Sequence, residues 1–257
     1  MPQWNSFNTK DPFGAIETNL INYKSADGTE INAYTAIPKG DGKRGGVVLV
    51  HHMPGWDELY REFANRWANH GFNVICPNLY ARAGHGTPDD VTAKVRGDGG
   101  VADATVLADC EAAMKWLKAL PSSNGKVGIT GTCSGGRHSY LVACKVPGFA
   151  AIINCWGGGV VANPDQLNDK QPVAPVDYTK DLEVPVLGLF GNDDQRPSPD
   201  DVNKLEEELK KHGKKYEIHR YEGAGHGFFY YDRPNYRQQQ AMDGWSKAFA
   251  FFDQHLS

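Results

Sequence analysis

A cysteine with glycines two positions before and two positions after it is the feature of this sequence that most suggests chemistry. The stretch GTCSG spans residues 131–135 and places Cys133 at its centre. A side chain that projects from a sharp strand-to-helix turn crowds its neighbours at this spacing, and glycine relieves that crowding. In such a turn Cys133 would be a thiolate nucleophile toward a carbonyl carbon. The alternative is a buried structural cysteine beside a glycine-rich turn.

A histidine and two adjacent acids downstream of Cys133 could supply the base and the orienting group that a nucleophile needs. His226 lies between glycines in the stretch GAGHGFF, and Asp193 and Asp194 lie in the stretch GNDDQRP. The chain order nucleophile, acid, histidine is the order of an acyl-transfer triad on an open α/β sheet. Spacing alone does not distinguish Asp193 from Asp194, and a surface-loop histidine is the alternative for His226.

These side chains need a scaffold, and the hydrophobic pattern predicts strands that alternate with helices. After a predicted hairpin over residues 21–37, short apolar runs predict strands at 47–50, 73–76, 126–130, 149–153, 185–190 and 216–220. Helical spacing predicts helices between them, including one capped by Asp57 and one from Ser134 that would lower the thiol pKa of Cys133. The alternation predicts an α/β fold, a mostly parallel central sheet with helices on both faces, in a single domain over residues 1–257.

Two segments break this alternation, at residues 81–98 and 157–181. Both follow predicted strand ends, where ligands bind in open α/β sheets. They are therefore either surface loops or the walls of a pocket.

The overall composition narrows the class of protein. The net charge is −4 without a basic stripe, and the apolar runs are too short to span a bilayer, so neither a nucleic-acid nor a membrane partner is expected. Five irregularly spaced cysteines and the absence of a secretory pattern predict reduced thiols in the cytoplasm. No CxxC or HExxH pattern occurs, so no metal or other cofactor is predicted. A monomer or a small homo-oligomer is expected.

From about residue 31 to the last predicted helix, the sequence resembles the dienelactone hydrolase family. The resemblance rests on the patches VVLVHHMPGWDE, HGFNVICPNLYAR, GITGTCSGGR, LFGNDD with Pro197, and GAGHGFF. Members of that family are cytoplasmic α/β-hydrolases that open lactones or cleave esters with a Cys-His-Asp triad. The resemblance implies the α/β-hydrolase fold and the triad Cys133, His226 and Asp194, because the family's acid is the fourth residue of the glycine-led turn. Asp193 is the alternative candidate for the acid of the triad.

The resemblance also implies the groups around the triad. Backbone N–H groups of Ser134 and Met53 would form the oxyanion hole, so their side chains are expected to matter little. Arg82 matches an arginine that holds the substrate carboxylate in lactonase members, with a surface salt bridge as the alternative. Arg233 is a candidate second partner for that carboxylate.

One position departs from the family. Lactonase members carry a glutamate that contacts the resting thiol, and His52 stands in its place. Without a competing carboxylate, we expect Cys133 to rest more fully as a thiolate paired with protonated His226. His52, Trp56 and Trp156 lie just past strand ends and are candidate substrate-binding side chains, with packing in the core as the alternative for each.

The sequence thus predicts a hydrolase that cleaves carboxylic ester or lactone bonds through a thioester on Cys133. A promiscuous esterase or phosphotriesterase-type activity is one alternative. The other is a catalytically silent hydrolase fold that binds a small ligand, although a binding protein has no need to keep nucleophile, acid and base together.

Overall fold

The computed structural model describes residues 15–257 and is built around an eight-stranded sheet. The strands are β1 (Ile16–Lys24), β2 (Glu30–Pro38), β3 (Arg44–Val50), β4 (Asn73–Pro77), β5 (Ser123–Thr132), β6 (Ala151–Cys155), β7 (Val186–Gly191) and β8 (Tyr216–Tyr221). Their order in the sheet is β1-β2-β4-β3-β5-β6-β7-β8. β1 and β2 pair as an antiparallel hairpin and β2 pairs antiparallel with β4, whereas all other pairs are parallel. The predicted mostly parallel sheet is confirmed.

Helices cover both faces of the sheet, as predicted. They are α1 (Glu58–Asn69), α2 (Pro88–Gly97), α3 (Asp103–Lys118), α4 (Ser134–Lys145), α5 (Pro199–Lys211) and α6 (Gln238–Leu256). Successive residues of a strand face opposite sides, and in β3 Gly45 faces Leu256 of α6 whereas Gly46 faces Leu117 of α3. This arrangement is the α/β-hydrolase fold. No helix among residues 15–257 combines the length and apolarity needed to cross a membrane.

The strand β3 shows why its sequence is a continuous apolar run. All of its residues after Arg44 are buried, because helices pack on both faces and parallel neighbours pair with both edges. Its carboxyl end lies beside that of β5, with Val50 opposite Gly131. The segments that follow these two strands are therefore brought together at one edge of the sheet.

The segment 81–98, which was predicted to lie outside the alternation of strands and helices, is mostly helical. It contains α2, which Thr87 caps by accepting the backbone N–H of Asp90 and which has Pro88 in its first turn. Only Thr92 and Val95 of this helix are buried, so its apolar periodicity is too weak to recognise in the sequence.

Candidate active site

Cys133 lies at the turn between β5 and α4, immediately before the first helical residue. Its φ is +55°, in the left-handed region that residues other than glycine rarely adopt. A Cβ atom on Gly131 would lie 2.6 Å from the carbonyl oxygen of Val50, and one on Gly135 would lie 2.2 Å from the same oxygen. Both glycines are therefore required by the close approach of β3 to the turn, as their spacing predicted.

His226 and Asp194 reach this turn from the loops after β8 and β7. His226 Nδ1 lies 2.9 Å from Asp194 Oδ2, and the imidazole also hydrogen-bonds to the Cys133 thiol. The other carboxylate oxygen of Asp194 accepts the backbone N–H of Arg196 at 2.8 Å. Asp194 is buried, whereas the neighbouring Asp193 is exposed to solvent. The structure therefore brings Asp194, and not Asp193, to the histidine.

The surroundings of Cys133 favour its ionised form. Burial opposes ionisation, but the hydrogen bond and charge of His226, together with the backbone N–H groups of Ser134 and Met53, lower the pKa of the thiol. Burial also disfavours the charged imidazole, yet Asp194 and the thiolate raise the pKa of His226 to about 10. The site can therefore hold a thiolate–imidazolium pair with two N–H donors at the sulfur.

We expect iodoacetamide to alkylate Cys133 with a pH midpoint below about 8.5, the value for an unperturbed thiol. Only the thiolate reacts, so the rate rises with pH through the thiol pKa, and a lowered pKa moves that rise to lower pH. His226→Ala removes the strongest stabilising contact and should raise the midpoint. Mass spectrometry of alkylation against pH measures both values.

The other four cysteines are buried, and burial raises the pKa of each, so they should not contribute to this rate. A wild-type midpoint at or above the free-thiol value would contradict the prediction, as would identical midpoints in the two proteins.

A cavity of about 600 Å³ is lined by Cys133, His226, Asp194, Met53 and Ser134. The two segments that break the sequence alternation also contribute to its wall, through Arg96, Gly158, Gly159, Ala162, Gln166, Leu167 and Gln171. They are thus pocket walls rather than plain surface loops. Within residues 15–257, no group of three or more His, Cys, Asp or Glu side chains is placed to hold a metal ion.

The cavity also has arginines on its wall that sequence reasoning missed: Arg96, Arg137 and Arg196. Arg137 is buried and pairs with both oxygens of Asp103, at 2.6 and 3.1 Å. Arg96 and Arg196 are exposed, and neither forms an ion pair with a carboxylate in the described part of the chain. Arg137 follows Cys133 by one helical turn, which could have indicated it, whereas Arg96 lies in the helix that was not predicted.

Arg82, which is expected to hold a substrate carboxylate, is not among the residues that line this cavity. Its guanidinium donates to both carboxylate oxygens of Asp109, at 2.8 and 3.0 Å, and to Asp27 at 2.9 Å. Asp109 is fully buried. Arg82 therefore forms a salt bridge, which is the alternative role given above, and its partner Asp109 is buried.

Four other candidates for substrate binding are also not among the residues that line this cavity: His52, Trp56, Trp156 and Arg233. The ring N–H of Trp56 donates to the carbonyl of Cys76, and Trp156 is fully buried against the aromatic rings of residues 228–230. Arg233 is on the surface beside Asp232. His52 is fully buried and hydrogen-bonds to Asp57 and Tyr230. A residue that follows a strand can face the core as readily as the cavity, and its position in sequence does not distinguish the two.

Comparisons with known proteins identify the family to which this chain is similar. Residues 31–256 match the family model of the dienelactone hydrolase family. A Salmonella typhimurium protein provisionally named a carboxymethylenebutenolidase is 34% identical over 255 residues, which cover 95% of this chain and 90% of the relative. The crystal structure of a Klebsiella pneumoniae protein provisionally named a dienelactone hydrolase has a TM-score of 0.84 at 32% identity, covering 94% of this chain and all of the other. A dienelactone hydrolase-like promiscuous phosphotriesterase from metagenomic libraries, 20% identical, has a TM-score of 0.74 and covers 95% of this chain and all of its own, a likeness of fold alone.

Proposed function

The chain belongs to the dienelactone hydrolase family, and on this premise we propose that it hydrolyses carboxylic esters or lactones through a thioester on Cys133. The observation that carries the proposal is the hydrogen-bonded array of Cys133, His226 and Asp194, with two backbone N–H groups at the sulfur. Nucleophile, base, orienting acid and oxyanion donors at one point of a cavity suit acyl transfer and have no evident use in a protein that only binds a ligand.

In the first half of the reaction, the Cys133 thiolate attacks the carbonyl carbon of the substrate. The carbonyl oxygen becomes negatively charged, and the N–H groups of Ser134 and Met53 are placed to donate to it. The C–O bond to the leaving group then breaks, and the His226 imidazolium gives its proton to the departing alkoxide. The acyl group remains on the sulfur as a thioester.

In the second half, water attacks the thioester and neutral His226 takes a proton from it. A second oxyanion forms at the same N–H groups and collapses with release of the Cys133 thiolate, which restores the thiolate–imidazolium pair. Asp194 accepts the Nδ1–H of His226 throughout, fixing the tautomer and stabilising the imidazolium. Atoms and charge balance with the ester or lactone and water alone.

The unpaired arginines of the cavity favour a substrate that carries an anionic group. We expect Arg196→Ala to raise KM roughly 10-fold for an ester with a free carboxylate, because one charge-assisted hydrogen bond is lost. KM for a neutral ester of the same size should change less than about twofold. Steady-state kinetics with the two esters measure the difference, and Arg233→Ala, on the surface outside the cavity lining, is the matched control. Equal changes in KM for the two esters would contradict a carboxylate-binding role.

The proposed function is tested by trapping the thioester. The protein is mixed with p-nitrophenyl butyrate, quenched in acid and digested, and the acylated peptide is identified by mass spectrometry. We expect release of p-nitrophenolate and an acyl group on Cys133, both of which Cys133→Ala should lose. Cys144→Ala, which removes a buried thiol from α4, the helix that follows Cys133, should retain both.

Two outcomes would overturn the proposal. An acyl group on another residue, with turnover that persists in Cys133→Ala, would refute the thioester. The lack of turnover for p-nitrophenyl acetate and butyrate, a dienelactone and an aliphatic lactone would favour the ligand-binding alternative.

A further inference from the structure

A set of buried hydrogen bonds lies beside the nucleophile turn and has no part in the chemistry described above. Nε2 of His52 lies 2.6 Å from Asp57 Oδ2, and Nδ1 lies 3.1 Å from the hydroxyl of Tyr230. The Tyr230 hydroxyl hydrogen-bonds in turn to Oγ1 of Thr132, which lies 2.7 Å from the hydroxyl of Tyr60. We call these five residues the elbow network. All of them except Asp57 are buried.

The proton of each group in the elbow network has a defined acceptor when His52 is neutral. Its Nε2–H donates to Asp57, which leaves Nδ1 to accept the hydroxyl proton of Tyr230. Tyr230 then accepts from the Thr132 hydroxyl, and Thr132 accepts from the Tyr60 hydroxyl. The Tyr60 oxygen accepts the backbone N–H of Thr132 at 3.3 Å. Burial raises the pKa values of Tyr60 and Tyr230 well above the usual range for tyrosine, so both hydroxyls remain protonated and can donate.

The elbow network joins three of the four chain segments that build the proposed active site. In sequence, His52 directly precedes Met53, Thr132 directly precedes Cys133, and Tyr230 shares the loop after β8 with His226. Met53 and Cys133 follow different strands, β3 and β5, so side-chain bonds between the two segments help to fix the distance between them. A fully satisfied buried polar network of this kind rigidifies the groups that it connects.

We propose that the elbow network holds the Met53 N–H group at the distance from Cys133 that the tetrahedral oxyanion requires. Tyr230 and His52 are then positioning residues: they act through Met53 and touch no reacting atom. The inference rests on the proposed function, because an oxyanion forms only when Cys133 attacks a carbonyl group. A displacement of about 1 Å in a group that stabilises the transition state can cost on the order of 100-fold in rate.

Tyr230→Phe tests this role, because it removes the central hydroxyl and keeps the packing of the ring. We expect kcat for p-nitrophenyl butyrate to fall roughly 10- to 100-fold with KM changed less than about twofold, since acylation and deacylation both pass through an oxyanion. Iodoacetamide alkylates the sulfur without forming an oxyanion. At a pH well above the thiol pKa, where Cys133 is fully ionised in both proteins, its alkylation rate should therefore stay within about twofold of wild type.

Tyr140→Phe is the matched control. Tyr140 is also fully buried, and its hydroxyl lies 2.8 Å from Oγ1 of Thr179, outside the elbow network. Each variant loses one buried hydroxyl that bonds to a threonine, so both should show a lowered Tm, but only Tyr230→Phe should lower kcat. Equal kcat in the two variants would overturn the positioning role. A loss in alkylation rate at this high pH as large as the loss in kcat would also overturn it, since the effect would then lie in the reactivity of the sulfur and not in the oxyanion donor.

Thr132→Val provides a second test and replaces Tyr230→Phe if that variant does not fold. It interrupts the elbow network one bond closer to Cys133, and a similar fall in kcat is expected. The double variant should lose no more activity than the more impaired single variant, because either change breaks the same connection. Additive losses would overturn the proposal. A wild-type protein without esterase activity would refute the proposed function and this inference together, whereas an active wild type with an equally active Tyr230→Phe would refute the inference alone.

Discussion

Replacing Cys133 by alanine is expected to lower kcat/KM for ester hydrolysis by roughly 10⁴- to 10⁶-fold, the loss seen when the nucleophile of a triad is removed. The residual rate would come from binding and from the N–H groups of Ser134 and Met53. Initial rates of p-nitrophenolate release measure the effect, and circular dichroism establishes that the variant is folded.

The two adjacent aspartates provide a matched comparison for the same array. Asp194→Asn should cost roughly 10³- to 10⁴-fold in kcat, because an asparagine amide can donate to Nδ1 of His226 and stabilise the wrong tautomer. Asp193→Asn should cost less than about twofold, since its side chain is exposed and does not contact the histidine. Equal losses in Asp194→Asn and Asp193→Asn would contradict the assignment of Asp194. Unchanged rates in Cys133→Ala would mean that Cys133 has a structural role and is not the nucleophile.

Replacing Arg82 by methionine is expected to lower the free energy of unfolding by about 3 kcal/mol, with kcat and KM of the folded protein near wild type. Arg82 neutralises Asp109 through two hydrogen bonds, and Asp109 is fully buried, so the variant leaves an uncompensated charge in the core. Urea denaturation measures the loss of stability, and KM for a carboxylate-bearing ester measures any effect on binding.

Two further variants isolate the buried half of this ion pair. The double variant Arg82→Met/Asp109→Asn should lose less stability than the sum of the two single variants, because no charge is left unpaired. Asp27→Asn should have little effect, since the carboxylate of Asp27 is half exposed. A rise in KM of Arg82→Met that is confined to the carboxylate-bearing ester would contradict this account and support a role in substrate binding.

Local sequence patterns were sufficient to predict the sheet, the glycine-flanked turn at Cys133, and the chain order of the cysteine, acid and histidine that the structure brings together. The glycines at 131 and 135 are required by backbone atoms of an adjacent strand, and strands buried on both faces are apolar throughout, so both features appear directly in the sequence. The helix α2 was not predicted, because it buries only two of its residues and its pattern is too weak.

The partners of charged side chains were not predictable in the same way. Arg82 pairs with an aspartate 27 residues away, and His52 with a tyrosine 178 residues away, so the spacing of residues gives no indication of either contact. From spacing, Asp193 and Asp194 were equivalent, and only the course of the loop after β7 turns one of them to His226 and the other to solvent.

The sequence by itself thus determined the fold class, the nucleophile turn and the candidate histidine, because propensity, apolar periodicity and close backbone packing act over a few residues. The tertiary structure decided which charged groups face the cavity and which pair with each other. The pairing depends on the cost of burying a charge without a partner. A buried charged group is therefore paired with whichever group the fold brings next to it, even one far away in the sequence.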